Sequence, residues 1–263
     1  MWSGVKTNKN GSRIGGEARH VGLARAISKL GYCSRAQVAR LVREGRVRLN
    51  GAVTKNPEAA VRLGRDRIQV DNTVLGAAEK IYLVLNKPRG VVTTASDEKG
   101  RETVYSLLPP GLPWVSPVGR LDQASEGLLL FTNDSEWAAR VTDPGSHLDK
   151  TYDVQVGRVA DERLLQELKQ GVHSGRETLR VKVARLLRSG EKNSWIEIVL
   201  DEGKNRQIRR MLEGLGVRVM RLIRVSIGPV RLGELAKGAH RVLRSEEKNA
   251  IDTMLGLSRV VKQ

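Results

Sequence analysis

One carboxylate in this sequence stands where a reactive group could be held. Asp122 lies within residues 118–134, between a short apolar segment and an apolar run that opens at Gly127. A single carboxylate can attack an electrophilic carbon or stabilise positive charge that develops on a substrate. The alternative is structural, because aspartate often caps a turn, and Gln123 begins a stretch that predicts one. Composition alone favours the structural role.

Two later stretches hold side chains that could act with this carboxylate. The Lys-Thr-Tyr sequence at residues 150–152 opens a predicted strand, in which Tyr152 would ordinarily pack its ring and expose its hydroxyl. Arg206, Arg209 and Arg210 fall in the first turn of a predicted basic helix. Cations are unfavourable at the positive end of a helix unless an anion lies close by. The placement of these arginines therefore indicates an acidic or phosphate partner.

The charge of the chain indicates an anionic partner. Its 263 residues contain 46 Lys and Arg against 29 Asp and Glu, a formal net charge of +17. Residues 1–75 contain 15 of these cations and 5 of these anions, so the first part of the chain is the more densely basic. Such a charge is typical of proteins that bind phosphates of nucleic acids. Aromatic residues make up only 3% of the chain, which argues against a binding surface of stacked aromatic rings.

Composition also excludes several classes of protein and site. The single cysteine, Cys33, excludes an intramolecular disulfide and a cysteine-based zinc cluster, and it fits a reducing compartment. The four histidines have no metal-ligand spacing, so neither a metal nor another cofactor is predicted. No apolar run approaches the roughly 20 residues that span a bilayer, and the N-terminus lacks the apolar core of a signal peptide. A soluble, cytoplasmic protein without a membrane partner is expected.

Hydropathy and turn signals divide the chain into three parts. Residues 1–21 are polar and basic and predict a flexible arm. Residues 22–76 predict a small α/β module, and residues 80–258 predict a larger domain. In that domain strands outnumber helices and do not alternate with them, which favours an α+β fold with a mostly antiparallel mixed sheet and flanking helices. Strands are predicted at 81–85, 128–131, 178–186 and 195–200, and helices at 135–141, 161–170, 205–215 and 246–255.

The small module has recognisable local signals. Apolar spacing in residues 23–30 predicts a first helix, and a capping box from Ser34 to Gln37 begins a second. Asn50-Gly51 predicts a hairpin turn. The module resembles the S4 RNA-binding domain, in Ser34-Arg35, in Gly45-Arg-Val47 and in Asn50-Gly51. The resemblance implies a phosphate-facing surface, whereas the alternative is a solvated helix face; the arginines concerned are Arg35, Arg40, Arg43, Arg46 and Arg48.

The motifs together resemble one enzyme family, the ribosomal pseudouridine synthases of type A (small ribosomal subunit) and of types B, E and F (large ribosomal subunit). The resemblance covers residues 22 to about 245. It rests on Gly119-Arg-Leu-Asp122 with Glu126-Gly-Leu-Leu-Leu130, on Lys150-Thr-Tyr152, and on the Gly-Lys-Asn-Arg-Gln-Ile-Arg-Arg sequence at 203–210. The chain departs mildly from the family pattern at residues 123–125. Asn205-Arg206 and residues 221–229 lean towards type B.

The resemblance implies a catalytic role for three residues. Asp122 would be the nucleophile in the isomerisation of uridine, which breaks the N1–C1′ bond, rotates the uracil and rejoins it through C5 without a cofactor. Attack at C1′, attack on the ring, and electrostatic stabilisation of the ribose while a C2′ proton leaves all stay open. Tyr152 would stack on the flipped-out base. Arg209 would pair with Asp122 and hold it as an oriented anion.

The same resemblance implies RNA contacts near the reacting carboxylate. Arg120, two residues before Asp122, would face the same side if the strand continues, and would support the flipped-out nucleotide or the gap that it leaves. Arg206 and Arg210 are expected to bind phosphates, and Lys150 is expected to contact RNA. These residues and the five arginines of the small module form the predicted RNA-binding set.

The sequence therefore predicts site-specific isomerisation of uridine to pseudouridine in ribosomal RNA, with 23S favoured over 16S. The expected partner is ribosomal RNA or a ribosomal subunit precursor, bound by a monomer. One alternative is a catalytically silent RNA-binding assembly factor, and another is a synthase specific for 16S RNA. The combination of Asp122, Tyr152 and Arg209 argues against a silent protein, which would have no physical need for all three.

Overall fold

The computed structural model describes residues 20–76 and 78–257. Residues 1–19 of the predicted arm lie outside these ranges, and so does residue 258, the last of the predicted larger domain. The chain divides into two compact units, Met1–Ala77 and Ala78–Gln263.

Residues 20–76, the described part of the first unit, form two short helices and two small antiparallel sheets. Its elements are β1 (Val21–Gly22), α1 (Leu23–Lys29), α2 (Arg35–Arg43), β2 (Val47–Leu49), β3 (Ala52–Val53), β4 (Ala60–Val61), β5 (Ile68–Val70) and β6 (Thr73–Val74). One sheet has the order β3-β2-β5-β6, and the other pairs β1 with β4. Val21, which the arm prediction included, lies in a strand because its backbone pairs with Val61.

The local signals of this unit are confirmed. Ser34 caps α2, since its hydroxyl accepts a hydrogen bond from the backbone N–H of Gln37 and the Gln37 side chain accepts one from the N–H of Ser34. The hairpin between β2 and β3 turns at Asn50 and Gly51, whose φ angles of 53° and 87° are both positive. Two successive positive φ angles are what a tight hairpin turn requires, and Asn-Gly adopts them readily.

The second unit contains the larger sheet and four α-helices among its described residues. The strands are β7 (Tyr82–Lys87), β8 (Ser116–Val118), β9 (Glu126–Thr132), β10 (Lys150–Val156), β11 (Val172–Ser174), β12 (Glu177–Leu179), β13 (Val183–Ser189), β14 (Ser194–Leu200), β15 (Val219–Ile227), β16 (Val230–Arg231) and β17 (His240–Val242). The helices are α3 (Ser135–Thr142), α4 (Glu162–Gln170), α5 (Gln207–Gly214) and α6 (Ser245–Met254).

Within residues 78–257, nine strands form one mixed sheet, in which β13-β14-β10-β15-β9-β7-β17 are neighbours, β8 pairs with β9, and β16 pairs with β15. Every pairing in this sheet is antiparallel except that of β15 with β9. The prediction of an α+β fold with a mostly antiparallel mixed sheet is confirmed. The parallel junction places Glu126 beside Ile223 and Gly127 beside Arg224, two residues that are far away in sequence.

The prediction of one continuous strand at 178–186 is wrong, because these residues contribute to two strands that belong to different sheets. β12 pairs with β11 in a separate hairpin, whereas β13 joins the large sheet at β14. Between them Val181 is buried, and its N–H donates to the Leu168 carbonyl at the end of α4. Alternation of apolar residues continued through this junction, so periodicity alone could not separate the two strands.

The large sheet has an apolar core on each face. On one face, Leu129 and Phe131 of β9 belong to a core with α4 and α5. On the other face, Leu128 and Leu130 belong to a core with α3 and α6. Leu121 belongs to the first core, so the segment that leads into β9 is anchored on the face covered by α4 and α5. None of the described helices is long and apolar enough to cross a membrane.

Candidate active site

Asp122 lies in a turn that is fixed on both sides by buried residues. Leu121 precedes it in the core, and Ser125 and Glu126 follow it with little exposure. The Ser125 N–H donates to the backbone carbonyl of Asp122, which closes the turn. The carboxylate caps nothing in this turn: its Oδ2 accepts hydrogen bonds from two arginine side chains instead. The expectation that the side chain caps the turn is therefore wrong, although the turn itself is present.

One of the two arginines lies in the first turn of α5, and the other directly precedes the helix. Arg209 Nε lies 3.2 Å and Arg206 Nη1 3.1 Å from Asp122 Oδ2. Arg209 also donates to the Ala124 carbonyl and to the Ser125 hydroxyl, so it holds the whole turn. The structure thus brings together the residues that the sequence pairs, Asp122 and Arg209, across 87 positions.

Arg206 departs from its predicted setting. The helix was predicted from residue 205, but α5 begins at Gln207, because Arg206 has a left-handed φ of 48° and lies outside the helix. Its guanidinium, predicted as a phosphate ligand, is paired with Asp122 in this structure. The carboxylate therefore lies at the N-terminal end of α5, where the helix dipole also favours an anion.

The other oxygen of the Asp122 carboxylate, Oδ1, has a different environment. Asp122 Oδ1 is buried, and it has no hydrogen-bond partner within the described part of the chain. Buried carboxylate oxygens are usually satisfied, so an exception needs an explanation. The carboxylate is therefore asymmetric, with Oδ2 anchored by two cations and Oδ1 unbonded.

Lys87 is a site residue that the sequence analysis missed. It ends β7 and is fully buried, and its Nζ donates to the backbone carbonyls of Pro88, Asp122 and Ser125. The ammonium therefore links the end of β7 to the turn that carries the carboxylate. The available signal was its position two residues after the apolar run that ends at Leu85, where a lysine must either reach solvent or bond internally.

Burial lowers the pKa of Lys87 to about 8, although the nearby carboxylates of Asp122 and Glu126 oppose this. A folded-state pKa below the unfolded value means that the unfolded chain binds more protons between about pH 8 and pH 10.5. We therefore expect wild type to gain stability relative to Lys87→Met as pH rises through that window, by up to about 3 kcal/mol. Urea unfolding of both proteins at several pH values measures the difference. Parallel pH dependences for the two proteins would contradict the titration.

Glu126, the first residue of β9, anchors the end of the turn that carries Asp122. Its carboxylate is buried and accepts two hydrogen bonds of 3.0 Å from Arg221. It also forms an ion pair with Lys237, whose Nζ lies 2.8 Å from Oε2. Burial raises the pKa of the Glu126 carboxyl, but the bonds from Arg221 and Lys237 outweigh this and lower it. Breaking a buried, bonded charge pair is destabilising, so Glu126 is a structural support of the turn.

Tyr152 and Lys150 lie on β10, with side chains on the α5 face of the sheet. Tyr152 is buried among the core residues of that face, and its strand neighbour on β15 is Arg224. Within the described residues its hydroxyl has no hydrogen-bond partner, as expected for a ring that packs and a hydroxyl that faces outward. Burial lowers the pKa of Lys150, and the nearby Arg224 guanidinium lowers it further.

Two predicted RNA ligands have other environments. Arg120 is exposed, but it is not on a continuing strand, because β8 ends at Val118 and Gly119 has a left-handed φ of 77°. The premise that placed it beside the carboxylate is therefore wrong. Arg210 donates to Ser174 and, at 2.6 Å, to Glu177, so its guanidinium holds the β11–β12 hairpin.

The five arginines of the first unit that were predicted to bind RNA are all exposed, but they are not equally available. Arg46 makes two hydrogen bonds of 2.9 and 2.8 Å to Asp71, so its charge is already paired. Arg40 lies 3.5 Å from Glu44, and Arg48 donates to the Gly51 carbonyl. Among the described residues, Arg35 and Arg43 have no such partner.

Metal ligands are not grouped in this region. Across residues 20–76 and 78–257, no three His, Cys, Asp or Glu side chains are placed so that they could hold a metal ion. The polar groups that meet at Asp122 are guanidinium, ammonium and backbone carbonyl groups.

Comparison with known proteins agrees with this geometry. The RNA pseudouridylate synthase family matches residues 81–214, a range that includes Asp122, Tyr152 and Arg209, and the S4 domain matches residues 21–68. The chain belongs to the RNA pseudouridine synthase family. It is therefore an isomerase with an N-terminal S4 domain.

Individual relatives cover nearly the whole synthase. The chain is 36% identical over 228 residues to the ribosomal large subunit pseudouridine synthase B of Bacillus subtilis, covering 86% of this chain and 93% of the relative. It is 34% identical over 238 residues to an uncharacterized RNA pseudouridine synthase of Aquifex aeolicus, covering 90% of this chain and 96% of the relative. A crystal structure of a pseudouridylate synthase, 29% identical, superposes with a TM-score of 0.62 over 88% of this chain and 99% of that one.

Proposed function

We propose that this synthase isomerises a specific uridine in the RNA of the large ribosomal subunit, with Asp122 as the nucleophile. The observation that carries the proposal is the asymmetry of the Asp122 carboxylate. Oδ2 is held by Arg206 and Arg209, whereas Oδ1 is buried without a partner among the described residues. The choice of RNA is supported by the Bacillus subtilis relative, whose name refers to the large ribosomal subunit.

The geometry supports a carboxylate that acts on a flipped-out base. Lys87 and Arg209 fix the turn from two sides, so Asp122 changes position little when it reacts. Such preorganisation is the main way in which an enzyme lowers a barrier that involves developing charge. The proposed role of Tyr152 is to replace the base stacking that the uridine loses when it leaves its helix. Attack at C1′, attack on the ring and elimination are all compatible with one fixed carboxylate.

The proposal is tested with ribosomal RNA from a strain that lacks this enzyme. Purified protein is incubated with 23S and with 16S RNA, and pseudouridine is mapped by carbodiimide modification and primer extension. The expected result is one new stop in 23S RNA. A stop in 16S RNA alone would overturn the choice of RNA. If naked RNA and ribosomal precursor particles both give no stop, the assembly-factor alternative replaces the proposal.

We further propose that Arg35 and Arg43 of the S4 domain contact RNA phosphates, because their charges are exposed and unpaired within the described residues. Replacing either by Gln is expected to weaken RNA binding and to reduce the slope of log affinity against log salt by about 1. Arg46→Gln is the matched control, since Asp71 already neutralises Arg46, and a smaller change is expected. Filter binding across a salt series measures the slopes. Equal slopes for Arg35→Gln, Arg43→Gln and wild type would contradict the assignment.

Two further expectations stay predictions. One is a monomeric state, and the other is a cytoplasmic location, which the single cysteine and the ribosomal substrate favour.

A further inference from the structure

The Asp122 side chain is 25% exposed, but neither of its carboxylate oxygens is free in the conformation described. Both of its arginine partners bind Oδ2, and Oδ1 is buried. A nucleophile must come within about 3–3.5 Å of the reacting carbon, so a buried oxygen has to be uncovered first. Oδ2 is the oxygen that the two arginines hold, and it becomes available to a substrate only when one of them releases it.

The two arginines differ in how firmly they are held. The Arg209 side chain is 12% exposed and donates to Asp122, Ala124 and Ser125. The Arg206 side chain is 49% exposed, and Asp122 is its only ion-pair or hydrogen-bond partner within the described residues. Moving Arg209 would break a network, whereas moving Arg206 would break one half-exposed ion pair. Such a pair contributes about 1 kcal/mol or less.

The chemistry of the guanidinium indicates where Arg206 would go. A planar guanidinium binds carboxylate and phosphate oxygens with the same fork geometry. Arg206 lies just outside α5, and its side chain is half exposed, so an RNA phosphate could reach it from solvent. A backbone phosphate next to the target uridine is an anion that arrives only with the substrate. Exchange of one anion for another keeps the charge of Arg206 paired throughout.

We propose that Arg206 is a displaceable cap on Asp122, which pairs with the carboxylate in the free enzyme and transfers to an RNA phosphate when substrate binds. The inference rests on the proposed function, because it concerns the same carboxylate. Arg206 then has two roles in turn, as a partner of the carboxylate when RNA is absent and as a phosphate ligand when RNA is bound. Arrival of the substrate then removes one of the two cations from Oδ2 and leaves Arg209 to hold the carboxylate. Arg206 is thus a positioning residue and not a reacting one.

The cap makes RNA and Asp122 competitors for one guanidinium. Removing the charge of Asp122 should therefore strengthen RNA binding, but only when Arg206 is present to be released. The general effect of one fewer negative charge on the protein acts equally with or without Arg206, and so does any release of Arg209. A double-mutant cycle cancels both of these effects and isolates the competition.

The experiment measures the affinity of four full-length proteins for transcribed 23S RNA in the presence of excess competitor tRNA. These are wild type, Asp122→Asn, Arg206→Gln and the double variant. Asp122→Asn is expected to tighten RNA binding about two- to fivefold when Arg206 is present. This is the change in affinity that corresponds to the free energy of one partly exposed ion pair. In the Arg206→Gln background that gain should disappear. The same gain in both backgrounds, or no gain in either, would overturn the cap.

A parallel cycle uses Arg210→Gln in place of Arg206→Gln. Arg210 belongs to the same helix but is bonded to Glu177, so its cycle is expected to be additive. Thermal melts of each variant show whether it is folded under the binding conditions. Because the readout is RNA binding, it tests the role of Arg206 separately from the role of Asp122 as nucleophile. If the enzyme forms pseudouridine but the Asp122 and Arg206 effects are additive, only the proposed role of Arg206 is overturned. If the effects are coupled but no pseudouridine forms, only the proposed nucleophile is overturned.

Discussion

Asp122→Asn is expected to abolish pseudouridine formation, with a rate loss on the order of 10⁴-fold or more, as for other enzymes that lose a nucleophile. The amide has the shape of the carboxylate and can still accept hydrogen bonds from Arg209, so the turn should keep its structure. RNA affinity should not fall. Quantitative carbodiimide mapping after single-turnover incubation measures the loss of product.

The matched control is Asp161→Asn. Asp161 also pairs with an arginine, Arg158, but it caps α4, and Asn is an equally good helix cap. Its activity should be that of wild type. If Asp122→Asn retained more than about a tenth of wild-type activity, less than about 1.4 kcal/mol of the barrier would depend on the carboxylate, and it could not be the nucleophile.

Gly127→Ala is expected to destabilise the second unit by about 3 kcal/mol or more. Gly127 stands in the parallel junction of β9 with β15, with a φ of 103° that L-residues rarely adopt. An added Cβ would lie 2.8 Å from the backbone nitrogen of Arg224 and still closer to its carbonyl oxygen. Backbone atoms in a sheet cannot withdraw as a flexible side chain can, so overpacking adds to the conformational strain. Urea unfolding measures the change in free energy.

Gly90→Ala separates these two contributions. Gly90 has nearly the same φ, 98°, but nothing within 4 Å of an added Cβ. It should therefore lose only the conformational part, about 1 kcal/mol. Equal losses for Gly90→Ala and Gly127→Ala would mean that the junction can widen, and that close approach of the two strands is not what requires glycine at 127.

Local signals in the sequence predicted much of the fold. The capping box at Ser34 and the hairpin at Asn50-Gly51 depend on residues at most three positions apart, and both are present. Long apolar runs predicted the central strands correctly, because they too are patterns of residues close together in sequence. The junction at Arg180 to Lys182 was missed, because the alternation of apolar residues is the same on both sides of it. At that junction the N–H of Val181 donates to the Leu168 carbonyl, a contact that no local pattern encodes.

The candidate site was predicted through its motifs and not through its contacts. The motif resemblance paired Asp122 with Arg209, and that ion pair is present. It did not reveal Lys87, since a lysine after a strand has the same sequence signature whether it reaches solvent or bonds inward. Nor did it reveal that Arg206 shares the carboxylate, because the left-handed backbone that turns Arg206 out of α5 has no marker in its residue type.

The sequence by itself determined the family, the basic character, the order of the two units and the motif that carries the reacting carboxylate. These properties reside in residue types and short spacings, which the chain retains in any conformation. Only the tertiary structure decided which cations meet Asp122, which of its oxygens stays unbonded, and why glycine is required at 127. Those facts depend on contacts between segments more than 80 residues apart, and the packing of the sheet against α5 is what brings the segments together.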